Sequence, residues 1–242
     1  MSRVLDWNRM ISKRLLNRYP GFFSSPNYVD DLKLRIAQDI CSRNVESILE
    51  VGGIDRPLLD KSQGYSYDGL DIESREDCYS IYDNFHVQSV EVPIDGRYDM
   101  VISITLLEHV PDNEKSIQSI FDCLKSGAWT HHYVPSKWHP YSLGLRIIGP
   151  KWQIRLIPIL RPGTEHVTGY PAFFDHCSVV AMTNILNKAG FLNINAKPYY
   201  RANDYFAWCL PAFLLVTAFE WVCSKWGWSI FASGFVISAK KP

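Results

Sequence analysis

The sequence predicts an α/β protein with a doubly wound, mainly parallel sheet of seven strands. Two observations support this fold class. Short apolar runs of strand length alternate along the chain with amphipathic segments of helical period. Neither an internal repeat nor a low-complexity linker interrupts the alternation. Strands that alternate with helices are typical of βαβ units, and these units form parallel sheets.

The length of 242 residues and the hydrophobic fraction of 47% suit one large domain with a buried core. We predict a single domain over residues 1–242. It begins with an N-terminal helical cap over 1–44 and a ligand-binding core over 45–135. A long insertion over 136–175 and C-terminal helices and closing strands over 176–242 complete it.

The N-terminal cap reads as two helical pieces separated at Tyr19-Pro20-Gly21, which is a turn signal. The second piece, 28–41, has apolar residues at helical spacing. Seven strands are predicted after it, over 45–51, 66–72, 85–90, 98–104, 129–134, 191–199 and 231–239.

Two helices between these strands have marked ends. Asp112 is placed to cap the first, Glu114 lies in its first turn, and Gly127 is expected to end it. The second covers about 178–188 and ends at Gly190. Ligands bind such sheets at the carboxyl ends of the strands, so the site is sought there.

Charge and cysteine content exclude several classes of protein. Lys+Arg and Asp+Glu are balanced at 25 each, which is not the charge of a general nucleic-acid binder. The six cysteines form no CxxC pair, so neither a zinc ribbon nor a redox dithiol is indicated. The charged N-terminus lacks the apolar run of a signal peptide, and we expect a cytoplasmic location.

The turn after the first strand, 50–57, carries the first candidate site. Gly52 and Gly53 let the backbone approach a ligand closely. Glu50 and Asp55 would repel the pyrophosphate of a dinucleotide, but they suit a cation such as S-adenosylmethionine (SAM), which has an ammonium and a sulfonium. The alternative is an ordinary strand-to-helix turn with Asp55 as a cap.

Asp71 ends the second strand, about 20 residues after the glycines, where an acidic residue grips ribose hydroxyls in nucleotide-binding folds. Ribose is common to NAD and SAM, so this position supports a nucleoside without choosing between them. The alternative is a surface aspartate at a strand end.

Four segments, in their order along the chain, resemble class I SAM-dependent methyltransferases of the methyltransferase type 11 family. They are LEVGGID, GLDIE, YDMVISITLLEHV and LKSGAWTHHYVP. The resemblance is close over 45–135 and looser over 178–191 and the final strand. It implies a Rossmann-like methyltransferase fold and SAM as the cofactor.

The resemblance also assigns roles to residues. Glu50, Gly52 and Gly53 would line the methionine part of SAM, and Asp71 would hold the ribose beside Ile72. The adenine would be flanked by Gln88 and Ser89. The pocket wall would be completed by 103–107, including Ser103 and Leu107, and by His109. The sequence departs from the family pattern in two features: Ile54 and Arg56 replace the second and third glycines of the turn, and Gln88 replaces the usual aspartate.

Histidines are the candidate proton acceptors, because methyl transfer to a hydroxyl releases a proton and imidazole titrates near neutral pH. The candidates are His109, His131, His132 and His139; His131 and His132 alternate along a strand, so at most one faces the pocket. For each, packing or surface hydrogen bonding is the alternative. His131, His139 and His166 lack a tight ligand spacing, so no metal site is predicted.

Two apolar segments suggest a membrane. The stretch 143–161 is basic and apolar, so it reads as a helical lid or as a surface for anionic lipid or phosphate. The stretch 205–223 holds one charge, Glu220, but a membrane span there would separate the last strand from the sheet. We favour burial, with peripheral membrane contact as the second reading.

The sequence therefore predicts a methyltransferase that moves a methyl group from SAM to a hydroxyl of a small-molecule, glycan or lipid-linked acceptor, without nucleic acid. One alternative is a non-catalytic SAM- or nucleoside-binding module of a membrane complex, suggested by the altered glycine turn. The other is a nicotinamide oxidoreductase, disfavoured by the acidic turn and the absent G-x-G-x-x-G.

Overall fold

A computed structural model describes residues 2–23, 26–54, 56–61, 64–149, 151–152, 155 and 170–242. The helices are α1 (Ser2–Arg18), α2 (Pro20–Phe23), α3 (Tyr28–Ser42), α4 (Cys78–Ile81), α5 (Asn113–Cys123), α6 (Pro140–Ile148), α7 (Val179–Ala189) and α8 (Leu210–Trp226). The strands are β1 (Ser47–Val51), β2 (Ser66–Asp71), β3 (Phe85–Val87), β4 (Tyr98–Ile104), β5 (Leu124–Pro135), β6 (Leu192–Tyr199) and β7 (Gly234–Lys240).

The seven strands form one sheet in the order β3-β2-β1-β4-β5-β7-β6. The pairs β1–β2, β2–β3, β1–β4 and β4–β5 are parallel. The strand order reverses between β1 and β4, which is the switch point where ligands bind in doubly wound sheets. The predicted fold class is confirmed.

The central strands are buried, as strands covered by helices on both faces must be. Ile48, Leu49 and Val51 of β1 are fully buried, as are Met100 and Val101 of β4. Because both faces of these strands are buried, each strand is a nearly continuous apolar run, and such runs could be predicted from the sequence.

Local capping chemistry fixes the ends of two predicted helices, and it confirms the predicted cap at Asp112 and the predicted stop at Gly190. The Asp112 carboxylate accepts a hydrogen bond from the Lys115 backbone N–H at 3.1 Å and caps α5. The Ser178 hydroxyl accepts one from the Ala181 N–H at 3.3 Å and caps α7. Gly190 ends α7 in the left-handed conformation, with φ of 100°.

The prediction that Gly127 ends a helix is wrong. Helix α5 ends at Cys123, and β5 begins directly at Leu124. Gly127 has φ of 80° inside that strand, in the stretch where the register to β4 shifts from Tyr98↔Leu124 to Met100↔Trp129. The glycine thus permits an irregularity in a long strand, a use of positive φ that resembles a helix stop in sequence.

The chain divides into two compact units. The sheet unit comprises Tyr28–Pro135, Phe173–Lys197 and Phe235–Pro242. The helical unit comprises Met1–Asn27, Ser136–Ala172 and Pro198–Gly234. The predicted division of 1–242 into four consecutive parts of one domain stays a prediction.

Within the helical unit, α8 covers much of the apolar stretch noted above. Phe213, Val216 and Cys223 are buried, whereas Leu215 is 71% exposed and Trp226 is 66% exposed. Within the described part of the chain, no helix has both the length and the apolar character needed to cross a bilayer. Part of the segment 143–161 lies outside the described residues.

Candidate functional site

The glycine turn follows β1 and needs both of its glycines. Gly52 has φ of 84°, a conformation that side chains rarely adopt, and its N–H donates to the Leu70 carbonyl at 2.7 Å. A Cβ on Gly52 would lie 2.9 Å from Leu106, and one on Gly53 would clash with the Tyr82 hydroxyl. The turn is therefore held against β2 and against the loop after β4.

The Glu50 carboxylate supports this turn from inside the sheet unit. It accepts hydrogen bonds from the Tyr67 and Tyr82 hydroxyls and from the Leu58 N–H, the last at 3.0 Å. Its side chain is 1% exposed, and burial raises its pKa to about 7. The carboxylate is thus occupied by protein donors, and its predicted contact with the methionine part of SAM stays a prediction.

The predicted nucleoside-binding residues lie at the ends of β2 and β3. The Asp71 carbonyl accepts the Gln88 N–H at 2.9 Å, and one Asp71 carboxylate oxygen accepts the Glu73 N–H at 3.2 Å. Burial raises the pKa of Asp71. The next residue, Ile72, is 60% exposed and presents apolar surface beside this carboxylate.

Gln88 and Ser89 have polar partners in the following loop. The Gln88 amide donates to the Pro93 carbonyl at 3.2 Å, and the Ser89 hydroxyl donates to the Glu91 carboxylate at 3.1 Å. Both side chains are half-buried. They lie at the same sheet edge as Asp71, because Asp71 is in register with Val87.

The loop after β4 is strained. Thr105 has φ of 52°, which is unusual for a β-branched residue, and its N–H donates to the Tyr133 carbonyl at 3.1 Å. Leu107 is fully buried, so it serves the core beneath the predicted pocket wall. Leu106, next to them, contacts the glycine turn.

Glu108 is the least expected residue at this edge, because sequence reasoning passed over it. Its side chain is 5% exposed, and its Oε2 atom has no hydrogen-bond partner among the described residues. Burial raises its pKa to about 8. Its Oε1 atom lies 3.7 Å from His109 Nε2, and His109 is about one third exposed.

A second segment braces this loop within the sheet unit. The N–H groups of Phe173 and Phe174 donate to the Glu108 carbonyl at 2.8 and 3.0 Å. The Asn113 amide donates to the carbonyls of Leu107 and Asp175 at 2.8 and 2.6 Å. Asn113 is the first residue of α5, and only its place after the cap could be recognised from the sequence.

Comparisons with known proteins bear on this edge of the sheet. The profile of a methyltransferase domain family matches residues 23–196, which is more than half of the chain and includes the glycine turn, Asp71 and the loop after β4. The chain belongs to this methyltransferase family. The family prediction is confirmed, and SAM is the cofactor expected of it.

Curated relatives of this methyltransferase are distant. A ubiquinone biosynthesis O-methyltransferase of Albidiferax ferrireducens is 23% identical over 152 residues, covering 57% of this chain and 60% of the relative. One from Bordetella avium is 32% identical over 71 residues, 29% of each chain. The methyltransferase therefore spans at most about 60% of the length of these two relatives.

Solved structures agree with the methyltransferase in fold. A SAM-dependent methyltransferase from Archaeoglobus fulgidus has a TM-score of 0.51 at 16% identity, covering 97% of this chain and 94% of its own. A phosphoethanolamine N-methyltransferase of Haemonchus contortus bound to SAM has a TM-score of 0.53 at 13% identity, covering 97% and 57%. At these identities the likeness concerns the fold.

Two of the four candidate histidines lie within the sheet of the methyltransferase. His132 is fully buried between the Ser103 hydroxyl, at 2.6 Å, and the Thr130 hydroxyl. Burial lowers its pKa to about 3, so it is neutral at physiological pH. These surroundings favour a packing role for His132 and for Ser103.

His131 faces the opposite side of β5. Its Nδ1 lies 2.9 Å from the Ser238 hydroxyl, and its Nε2 lies 3.0 Å from an Asp39 carboxylate oxygen. Burial would raise the pKa of Asp39, but hydrogen bonds from His131 and Arg43 lower it overall. His131 thus links β5 to α3 and β7, which favours a structural role.

His139 belongs to the helical unit and is fully buried there. Its Nδ1 accepts the Tyr141 N–H at 3.1 Å as the cap of α6, and its Nε2 lies 3.3 Å from Glu220 Oε1. Of the four histidines, His109 is the one that combines partial exposure with a place at the carboxyl edge of the sheet.

Other predicted features lie elsewhere or outside the described residues. A cavity of about 180 Å³ lies at the start of β4 and in the first half of β5, away from the carboxyl edge, and is lined by Asp99 and Trp129 among others. Asp55 and His166 lie outside the described residues. Within the described ranges, no group of three or more His, Cys, Asp or Glu side chains is arranged to hold a metal.

Proposed function

We propose that the chain transfers a methyl group from SAM to a hydroxyl of a small-molecule, glycan or lipid-linked acceptor. The family match over 23–196 carries this proposal, because it includes every predicted SAM contact. The relatives from Albidiferax and Bordetella carry the name O-methyltransferase, which favours an oxygen acceptor.

The carboxyl edge of the sheet fits the nucleoside part of SAM. Asp71 is half-buried at the end of β2 and would hold the ribose hydroxyls. Ile72, 60% exposed, and Val87, 53% exposed, offer apolar surface for adenine at the same edge. When bound, SAM supplies an electrophilic methyl group on its sulfonium.

His109 is the proton acceptor in this proposal. It lies in the loop after β4, and about one third of its side chain is exposed. Glu108 lies 3.7 Å away and would orient the imidazole. His132, with its pKa lowered to about 3, is poorly suited to take a proton at neutral pH.

Calorimetry with SAM and S-adenosylhomocysteine tests the cofactor site. The intact chain is expected to bind both saturably, and Asp71→Ala to lose measurable binding. Asp77→Ala is the matched control, because the Asp77 side chain makes no cap hydrogen bond at the start of α4. Absence of heat with either ligand at millimolar concentration contradicts the cofactor assignment.

Methyl transfer is tested by incubation with isotope-labelled SAM and a cell extract, followed by mass spectrometry of the labelled products. His109→Gln is expected to lower kcat by about 10²-fold or more and leave SAM affinity unchanged. His176→Gln is the control, because His176 is equally exposed and lies beside Asp175 and Glu114. An unchanged kcat in His109→Gln rules out the proposed base.

A non-catalytic module is the second candidate function. Leu106 packs against Gly52, and the Glu50 carboxylate is taken up by tyrosines, so the methionine side of the turn is filled by protein groups. Binding of SAM without any labelled product, at every acceptor pool tried, favours this candidate. A labelled product eliminates it.

Peripheral membrane contact is the finer proposal for the helical unit. Leu215 and Trp226 lie on one face of α8 and are exposed, and Trp228 and Ile230 follow it with 43% and 51% exposure. Lys225 lies in the last turn of α8. Tryptophan and aliphatic residues next to a basic side chain are typical of surfaces that lie at a lipid interface.

Vesicle co-sedimentation tests this contact. The chain is expected to bind vesicles that contain anionic phospholipid, and Leu215→Ser with Trp226→Ala to weaken binding severalfold. Leu34→Ser is the control, because Leu34 is 55% exposed but lies on α3 in the sheet unit. Equal binding by all variants contradicts the proposed surface.

A further inference from the structure

The helical unit contains a cavity of its own, with a volume of about 260 Å³. Aromatic side chains supply much of its wall: Phe22, Phe23, Tyr200 and Trp221. Its polar lining includes Glu220 and Lys225. A cavity of this size, in which polar side chains lie beside aromatic rings, can hold a small organic molecule.

Glu220 is the polar group on which the site depends. Its side chain is 3% exposed, although it lies on the cavity wall. One oxygen, Oε1, accepts the Ala202 N–H at 2.6 Å and lies 3.3 Å from His139 Nε2. Among the described residues no group bonds to Oε2, so this oxygen is left for a ligand.

His139 approaches this carboxylate at Oε1. Its Nδ1 accepts the Tyr141 N–H at 3.1 Å, which leaves Nε2 as the ring nitrogen that lies 3.3 Å from Glu220 Oε1. Within the described ranges, no lysine or arginine nitrogen lies within 4.0 Å of Glu220. A buried carboxylate without a lysine or arginine partner is costly, and a cationic ligand at Oε2 would lower that cost.

Lys225, the other charged residue of the cavity lining, lies at the aromatic wall. The Lys225 Nζ lies 5.9 Å from the centroid of the Trp221 ring, and Trp221 is 44% exposed. The ring therefore already contacts one ammonium group. The wall that lies beside Glu220 is thus of the kind that binds organic cations.

We propose that this cavity binds a small organic ammonium ion, with Glu220 Oε2 accepting an N–H of the ligand and the aromatic wall covering its carbon part. This inference does not rest on the proposed methyl transfer, because all of its residues lie in the helical unit. The site is a binding site, and no chemical step is assigned to it.

Calorimetry with the full chain, without SAM, tests the site with three probes of similar shape. Benzylammonium is expected to bind saturably, benzyl alcohol at least about tenfold more weakly, and benzoate not at all, because a charge-assisted hydrogen bond contributes about 1.5–3 kcal/mol. Equal affinity for the alcohol and the ammonium overturns the proposal, and so does a preference for benzoate.

Three variants locate the binding. Glu220→Gln is expected to lower benzylammonium affinity about tenfold or more, with Asp6→Asn as an exposed control in the same unit. Trp221→Leu is expected to lower it about twofold to fivefold. Lys225→Gln removes a competing cation and is expected to raise affinity about twofold.

Lys225→Gln keeps the proposal testable if Glu220→Gln fails to fold, because Lys225 is exposed. A fall in benzylammonium affinity in Lys225→Gln overturns the proposal. A folded Glu220→Gln with unchanged affinity also overturns it. Neither outcome bears on methyl transfer, which is measured with SAM and an acceptor.

Discussion

The two compact units differ in how far their tryptophan side chains are exposed. Six of the eight tryptophans are exposed, namely Trp7, Trp138, Trp152, Trp221, Trp226 and Trp228, and all six belong to the helical unit. Both units enclose polar groups, such as Glu50 and His132 in the sheet unit and Glu220 in the helical unit. The difference between the units therefore lies in the exposed tryptophans, which leave aromatic surface available for contact in the helical unit.

This difference indicates which kind of contact each unit is suited to make. The sheet unit fixes the glycine turn and the loop after β4 by close packing, as the proposed cofactor site would require. The helical unit carries exposed aromatic surface and an aromatic cavity, both suited to ligands or lipids.

The glycine turn should be the least tolerant place in the sheet unit. Gly53→Ala would press a Cβ against Tyr82 and within 2.7 Å of Glu50, so we expect a loss of about 2–3 kcal/mol and a Tm lower by roughly 5 °C or more. Gly144→Ala in the helical unit, with nothing within 4 Å, should not lower the Tm. Equal Tm values in a thermal melt contradict the proposed packing.

Glu108 should make the fold less stable at alkaline pH. Its folded pKa of about 8 lies above the ordinary 4.5, so the folded state binds the extra proton and stability falls as pH rises towards and through 8. Between pH 6.5 and 8.5 the loss is about 2 kcal/mol.

Thermal melts of Glu108→Gln across that range should fall less steeply than those of the wild type. Glu50, with its pKa at about 7, contributes the part of the slope that remains. Glu76→Gln serves as an exposed control. Parallel profiles for wild type and Glu108→Gln show that the carboxylate is solvated in solution.

His132 should make the fold less stable at acidic pH. Its folded pKa of about 3 lies below the ordinary 6.5, so the unfolded state takes up the proton first and stability falls as pH drops below 6.5. We expect a loss of about 1.5 kcal/mol between pH 6.5 and 5. In denaturant unfolding, the free energy of unfolding of His132→Gln should fall less steeply below pH 6.5 than that of the wild type. An equally steep fall in both proteins would mean that the histidine is in contact with water.

The outer face of α8 should contribute least to stability. Leu215 is 71% exposed, so Leu215→Ser is expected to change the free energy of unfolding by less than about 0.5 kcal/mol. Leu70→Ser, at a nearly fully buried position of β2, is the contrasting variant and should be strongly destabilised. A large loss in Leu215→Ser indicates that the face is covered within the protein.

Much of the local structure followed from local signals. The cap at Asp112, the stop at Gly190 and the buried runs of β1 and β4 were predicted because each depends on neighbouring residues. Gly127 was misread because positive φ serves a helix stop and a strand irregularity equally well. Glu108 was missed because nothing adjacent in sequence shows that its carboxylate is enclosed.

Periodicity and turn chemistry along the chain establish the order of strands and helices, the family motifs and the positions at the carboxyl ends of β1, β2 and β4. Packing between distant segments establishes which polar groups are enclosed and which residues share a cavity. Glu50 meets Tyr67 and Tyr82, and Glu220 meets His139, across long stretches of chain. Such pairings depend on burial and packing between distant segments, which no local pattern encodes.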